Sequence, residues 1–463
     1  RGFATASLAD YLSDDPERLF DLLADANEKQ FAPMFSKVSD YRERAIALGN
    51  AEVAKTPAKD ARENEKEALA MRQANAAVML LRMNAANRVW PLLRHSTDPR
   101  VRSYIIHWLS PRGGDPNTII ARYRLETDVT IKRALLLCLG EFGESRLPKS
   151  QRKPLIETLL TAYRSDPDAG LHAAAEWLLR KWGHAEKIVA IDKELQQREE
   201  QLAASKQEGR QWYINGQGRT FVILDAGEFQ MGSPESEVGR NLNERLHQRK
   251  VDRRIAISKT EVTKTQWRKF ARSAQVLAAE SEQLKRYIRT DDSPMLAITW
   301  YEAAWYCNWL SEQEGIAEDQ WCYELNEQEK YAPGMKAKKE ILELTGYRLP
   351  TEAEWEFACR AGANASRYYG LTETLLPQYA WYLANSDDHA RPVARLKPND
   401  FGLFDMHGNA SEWCYEFYEN YPSASRAATA DAAKADAVLK SVERVLRGRS
   451  FASRAPNVRS AER

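Results

Sequence analysis

The sequence predicts a multidomain chain, with an all-α front of recurring helices joined to an irregular α+β back. Three observations predict this. Ala, Leu, Arg and Glu dominate the first half, whereas nine of the 13 tryptophans lie from Trp212 onward, beside Gly, Asn and Glu in short irregular segments. A helix-start signal recurs at intervals of 30 and 38 residues before position 185. At 463 residues, 43% hydrophobic and 29% charged, the chain can bury several cores without disulfide staples.

Composition also excludes some functions. Lys and Arg number 67 against 66 Asp and Glu, a net charge of +1. A nucleic-acid partner is not expected, because such surfaces carry a basic excess. No apolar run reaches the ~20 residues of a membrane-spanning helix. Cys138, Cys307, Cys322, Cys359 and Cys414 form neither a CxxC pair nor a secreted disulfide framework. A reducing, cytoplasmic location is therefore expected. The opening Arg1-Gly2-Phe3-Ala4 has no initiator Met and no signal peptide, so a fragment or processed product is expected.

Residues 1–71 read as helices whose opposite charges three or four apart suit a solvated face. Over 72–185, Thr97-Asp98-Pro99 precedes Val101–Leu109, Thr127-Asp128 precedes Ile131–Leu139, and Asp166-Pro167-Asp168 precedes Leu171–Trp182. Asp or Thr before an apolar run caps a helix by accepting a free backbone N–H. A period of roughly 30–45 residues marks stacked helix pairs, and in this pattern the stretch resembles HEAT-type repeats; the alternative is an irregular helical bundle. His95, His107, His172 and His184 lack metal-ligand spacing, and Trp108, Trp177 and Trp182 read as core residues. Residues 186–211 read as a polar helical linker with apolar Ile191, Leu195 and Leu202.

From 212 to 463 the texture changes. Thr220–Leu224 predicts a strand, Gly227–Pro234 a turn-rich segment, and Ile255–Ser258 an alternating strand. Thr263 is placed to cap a helix, and Trp300–Leu310 is amphipathic. Thr351 with Glu354 three residues on makes a capping box. Cys307, Cys359 and Cys414 fall on helix-like stretches and read as buried structural thiols.

Six ordered segments carry a resemblance. They are Phe229-Gln-Met-Gly-Ser, Glu261-Val-Thr, Arg348-Leu-Pro-Thr-Glu-Ala-Glu-Trp-Glu, Phe401–Asn409 with Glu412-Trp413, Arg444–Phe451, and Arg459-Ser-Ala. Together they resemble the formylglycine-generating enzyme / sulfatase-modifying factor family. The resemblance implies an irregular C-type-lectin-like fold with a shallow loop surface near Ser450. It also implies an oxidase chemistry of two thiols and copper shortly after that serine. Soft thiolates suit Cu(I), and a hydroxyl cannot replace them. Here Phe451–Arg463 contains no cysteine, and Ser453 stands near the first thiol's place. Copper is not expected. No His-x3-His-x-Glu pattern exists for the iron-dependent branch either, and His389 and His407 alone would need a third ligand.

Calcium is the metal expected, held by oxygens of Asn409 and Glu412 in the Gly-Asn-x-x-Glu-Trp turn. The other reading is that these residues hold the turn by hydrogen bonds. Arg449 departs from the family's glycine pair. Arg444, Arg447, Arg449, Arg454, Arg459 and Arg463 crowd the last 20 residues, as an anion-reading fork or as partners of acids such as Glu443 and Glu462. Arg449, Ser453, Arg454 and Asn457 are the expected recognition surface, with Trp381 and Trp413 as walls. The expected function is non-catalytic binding of a protein or small ligand, as the regulatory end of a larger bacterial signalling protein. A formylglycine-generating oxidase, or a related metal-dependent oxidase, is the enzymatic alternative.

Overall fold

The computed structural model describes residues 11–12, 14–202, 209–274, 282–421, 429–431 and 443–463. The opening Arg1–Ala4 and part of the connector, residues 203–208, lie outside the described residues. The chain divides into two compact units, residues 1–162 with 369–371, and residues 163–368 with 372–463.

The first unit is helical. Its helices are α1 (Pro16–Ala24), α2 (Glu28–Val38), α3 (Arg42–Val53), α4 (Glu63–Arg82), α5 (Arg100–Trp108), α6 (Pro116–Leu125), α7 (Val129–Leu139) and most of α8 (Lys149–Ser165). The C-terminal half of α4, from Gln73 to Leu81, is buried all round, as a central helix must be. α1, α3 and α5 pack against it. Its buried Asn75 amide donates to Ala24 O and Ala26 O at 2.8 and 2.9 Å, satisfying carbonyls at the end of α1. The mixed charges of the front do pair, and Arg72 alone holds Asp21, Asp25 and Glu52, each at 2.8 Å. Asp128 caps α7 as its position predicts. Asp98 lies one residue before the α5 cap position, where it accepts from Arg100 N at 3.2 Å and pairs with the Arg100 side chain.

The second unit combines α9 (Ala169–Lys181) and α10 (Ala185–Leu202) with small sheets. Asp168 caps α9. α10 buries Ile188, Ile191 and Leu195. Strands β1 (Trp212–Ile214), β2 (Thr220–Leu224) and β5 (Ile255–Ser258) form one antiparallel sheet in the order β1-β2-β5. β3 (Gly227–Met231) pairs in register with β4 (His247–Val251), and β9 (Thr429–Ala430) adds in parallel. The turn-rich segment predicted at Gly227 is thus a strand up to Met231. Phe229 and Met231 face inward while Glu228 and Gln230 stay exposed, the period of two that a half-buried strand requires. β6 (Tyr323–Glu324) and β7 (Lys336–Ala337) form a short pair.

Helices α11 (Lys264–Ser273), α13 (Trp300–Gln313) and α14 (Glu352–Arg360), with the short α12 (Glu282–Tyr287) between the first two, complete the helical part of this unit. α11, α13 and α14 each begin with a Thr capping box, at Thr263, Thr299 and Thr351. β8 (Glu412–Phe417) pairs antiparallel with β10 (Arg444–Arg447). Cys414, expected on a helix-like stretch, therefore lies on a strand. Among the described residues no helix is long and apolar enough to cross a membrane.

Candidate functional site

The site grows from a turn with left-handed backbone. Gly448 and Arg449 have φ of +84° and +62°, a region that costs a side-chain-bearing residue about 1 kcal/mol or more. Backbone bonds clamp this turn to two neighbouring segments. Gly448 O accepts from Gly408 N at 2.8 Å, and Phe451 N donates to Asn409 O at 2.9 Å. Leu383 N donates to Ser453 O, and Ser386 Oγ to Phe451 O, both at 3.0 Å. Gly408 is obligatory here, since a Cβ at its φ of +78° would lie 2.1 Å from Trp381 O.

The clamp brings together the Ser453 segment, Trp381 and Asn409. Trp381 is half-buried with the Arg391 guanidinium 5.4 Å from its ring centroid. Ser453 accepts from Ser450 N through Oγ at 3.1 Å, so the hydroxyl at the expected thiol position is holding its own turn. Arg454 and Asn457 are exposed, and their side chains engage nothing among the described residues. Arg449 pairs with Glu462 and donates to Arg463 O. Trp413 stands apart. It packs beside a separate core cluster containing Trp300, Tyr323 and Tyr415, and its Nε1 donates to Ile298 O at 2.8 Å.

The arginine cluster is mostly internal. Arg459, 1% exposed, pairs with Glu237, Glu244 and Glu462 at 2.6, 2.7 and 2.6 Å. Arg447, also buried, pairs with Glu356 and donates to Ser460 O and Ala461 O, each at 2.9 Å. Arg463 pairs with Glu352 at 2.6 Å. Arg444 stacks on Phe417 and Trp300, 3.7 and 4.1 Å from the ring centroids. Of the two readings of this cluster, pairing with acids describes Arg447, Arg459 and Arg463, although Glu352, Glu356, Glu237 and Glu244 are far from them in sequence. Burial alone would raise the Glu244 carboxyl, but the Arg459 hydrogen bonds and charge overcome it and hold the group low.

Asn409, at φ +57°, spends its amide on the fold. Its oxygen accepts from Arg391 N at 2.9 Å, and its nitrogen donates to Glu261 Oε2 at 2.7 Å. A cation bound by this oxygen would share it with the Arg391 N–H, on its second lone pair. Burial first, then the charges of Asp405 and Glu412, push the Glu261 carboxyl well up. Burial likewise lifts Asp405 and Glu412 to about 7. Glu261 and Asp405 belong to quoted motifs, yet nothing in a linear motif says that their carboxyls share one dry interior. Among the described residues no three His, Cys, Asp or Glu side chains converge as a metal-holding group. In the acidic stretch Asn385-Ser386-Asp387-Asp388, Asp387 pairs with Arg391, and Asp388 with Arg286.

All five cysteines are free and buried. Cys359 Sγ lies 3.6 Å from His407 Nε2, which is 3.2 Å from Ser460 Oγ. Burial pushes the Cys359 thiol to about 12 and the His407 imidazole down to about 3, so both are neutral near pH 7. Burial also raises Cys307 to about 12 and Cys322 to about 11. His389 Nδ1 contacts Asp387 O.

A family model described as the sulfatase-modifying factor enzyme 1-like domain matches residues 212–463. The chain is similar to the chaperone protein LppX of Paenibacillus barcinonensis, 28% identical over 189 residues, which are 35% of this chain and 62% of that protein. It is 30% identical over 175 residues to the serine/threonine-protein kinase pkn1 of Chlamydia caviae, 37% of this chain and 21% of the kinase. It is 41% identical over 88 residues to the formylglycine-generating enzyme of Mycobacterium tuberculosis, 16% of this chain and 29% of the enzyme. The chain thus spans less than two thirds of the length of each. Among solved structures, Treponema denticola variable protein 1 aligns at 25% identity and a TM-score of 0.42, covering 53% of this chain and 88% of that one. PvdO from Pseudomonas aeruginosa aligns at 24% identity and a TM-score of 0.40, over 52% and 86%.

Proposed function

Because the chain belongs to the sulfatase-modifying factor enzyme 1-like domain family, we propose that it is a non-catalytic member that recognises a protein or small ligand through the loop surface around Arg454 and Asn457. One observation carries this reading. The segment from Ser450 onward holds no thiol, and Ser453 is occupied in supporting its own turn. The five cysteines that exist are buried, with burial holding Cys307, Cys322, Cys359 and Cys414 in the neutral form. A copper centre needs thiolates that can reach substrate and metal. Relatives carrying related sequence are named as a chaperone and as kinases besides formylglycine-generating enzymes, which supports a domain that serves more than oxidation. Helical repeats in front would extend the contact surface.

The decisive experiment incubates the full chain with copper and a cysteine-containing peptide under oxygen. The expected outcome is no oxygen uptake above a protein-free control and no stoichiometric copper in the recovered protein. Multiple turnovers with loss of the peptide thiol would make the protein an oxidase and end the proposal. Calcium is tested in the same preparation. Because Asn409 is already committed to Arg391 and Glu261, millimolar calcium and a chelator are expected to leave the melting temperature equal, and a calcium-dependent rise would return Asn409 and Glu412 to the role of ligands.

A further inference from the structure

A recess lies at the C-terminal end of α9. It is a cavity of about 250 Å³ lined by Trp177, Arg180, Lys181, Gln378, Arg395 and Leu396. Three of these six are cations and none is acidic. Arg180 is bound to Glu176 at 2.9 Å, and the same carboxylate also takes Lys259 Nζ at 2.5 Å. Glu176 is therefore more than neutralised and has no charge to spare for the cavity. Lys181 rests with Nζ 5.1 Å from the Trp177 ring centroid, and Lys397 Nζ approaches the same ring at 4.9 Å. Among the described residues neither Lys181 nor Arg395 has a carboxylate partner, although both are exposed and could reach one. Gln378 accepts from Lys397 Nζ at 3.3 Å through its oxygen, which leaves its NH2 group as a neutral donor at the wall.

We propose that this cavity is a binding site for a small dianion, of the phosphomonoester or dicarboxylate class. Two uncompensated cations set the charge of the ligand. A guanidinium fork at Arg395 and an ammonium at Lys181 are the donors that oxyanions take in charge-assisted bonds. Gln378 adds a donor that reads an oxygen without adding charge. Trp177 and Leu396 give an apolar floor, which lowers the local dielectric and strengthens those bonds. The volume suits a phosphoryl group on a short carbon body or a four-carbon diacid.

The test is isothermal titration calorimetry on the full chain at physiological ionic strength, with inorganic phosphate and succinate as probes and acetate as the monoanion control. Saturable one-site binding of either dianion, tighter than acetate, is expected. Arg395→Gln and Lys181→Gln should each weaken it at least about tenfold, while Arg254→Gln on the surface should not. Preference for phosphate assigns the phosphoryl class, and preference for succinate the dicarboxylate class. Both substituted side chains are exposed, so unchanged circular dichroism will separate lost binding from lost folding. The proposal falls if neither dianion saturates, or if binding persists undiminished in the Arg395→Gln and Lys181→Gln variants.

Discussion

Arg459 is surrounded by three carboxylates in a dry interior, so removing its guanidinium would strand Glu237 and Glu244 and leave Glu462 to Arg449 alone. Breaking a buried ion pair costs about 3–5 kcal/mol, and Arg459→Leu is expected to lose at least that in urea-denaturation midpoints. A loss below about 1 kcal/mol, the range of a surface pair, would mean that water reaches the network. Asp405 acts in the opposite sense. Burial raises its carboxyl to about 7 in the fold, against about 3.9 in the unfolded chain. Between those values the unfolded state binds fewer protons, so this group drains stability as pH rises. Asp405→Asn still accepts from Ala394 N and cannot ionise. Its melting temperature relative to the parent should climb from pH 5 to pH 8, and a flat difference would place the Asp405 carboxyl in ordinary solvent.

Helix α14 shows which elements local sequence can specify. Thr351 accepts from Glu354 N at 3.1 Å, and Glu354 reaches back to Thr351 N at 2.9 Å, the box that four residues of sequence predict. The same hydroxyl also donates to buried Asp431 at 2.6 Å, a partner 80 residues on that no local pattern reveals. Thr351→Ala should therefore cost more than the ~1 kcal/mol of an ordinary cap, about 2 kcal/mol by chemical denaturation, with Thr351→Ser restoring most of it. The strand β4 was illegible for a related reason. Its His-Gln-Arg-Lys-Val reads as a polar loop because only its two ends are buried, and pairing with β3 supplies the order. The location of the 448–453 turn could be read from its motif. The fate of its arginines could not, since Arg447 meets Glu356 from 91 residues away and Arg459 meets Glu244 from 215.

At the scale of the molecule, the family match begins at Trp212 while the compact unit begins at Tyr163. The intervening helices are integral to that unit. Trp212 stacks on His172 with ring centroids 3.8 Å apart and donates through Nε1 to Asp166 O. Lys259, buried beneath α9, has Glu176 as its counter-ion. A fragment of residues 212–463 should melt several degrees below one of 163–463 and bind more of a hydrophobic dye, and equal melting would show the helices to be dispensable. Gly402 enforces the same dependence from the opposite side. A Cβ there, at φ +87°, would sit 2.4 Å from Ala169 O. Recombination that cut the gene between codons 202 and 212 would hand its recipient a glycine-shaped notch with nothing to fill it. The heritable module therefore starts before the third tryptophan, Trp177, and any graft of this domain onto another protein has to carry that helix along.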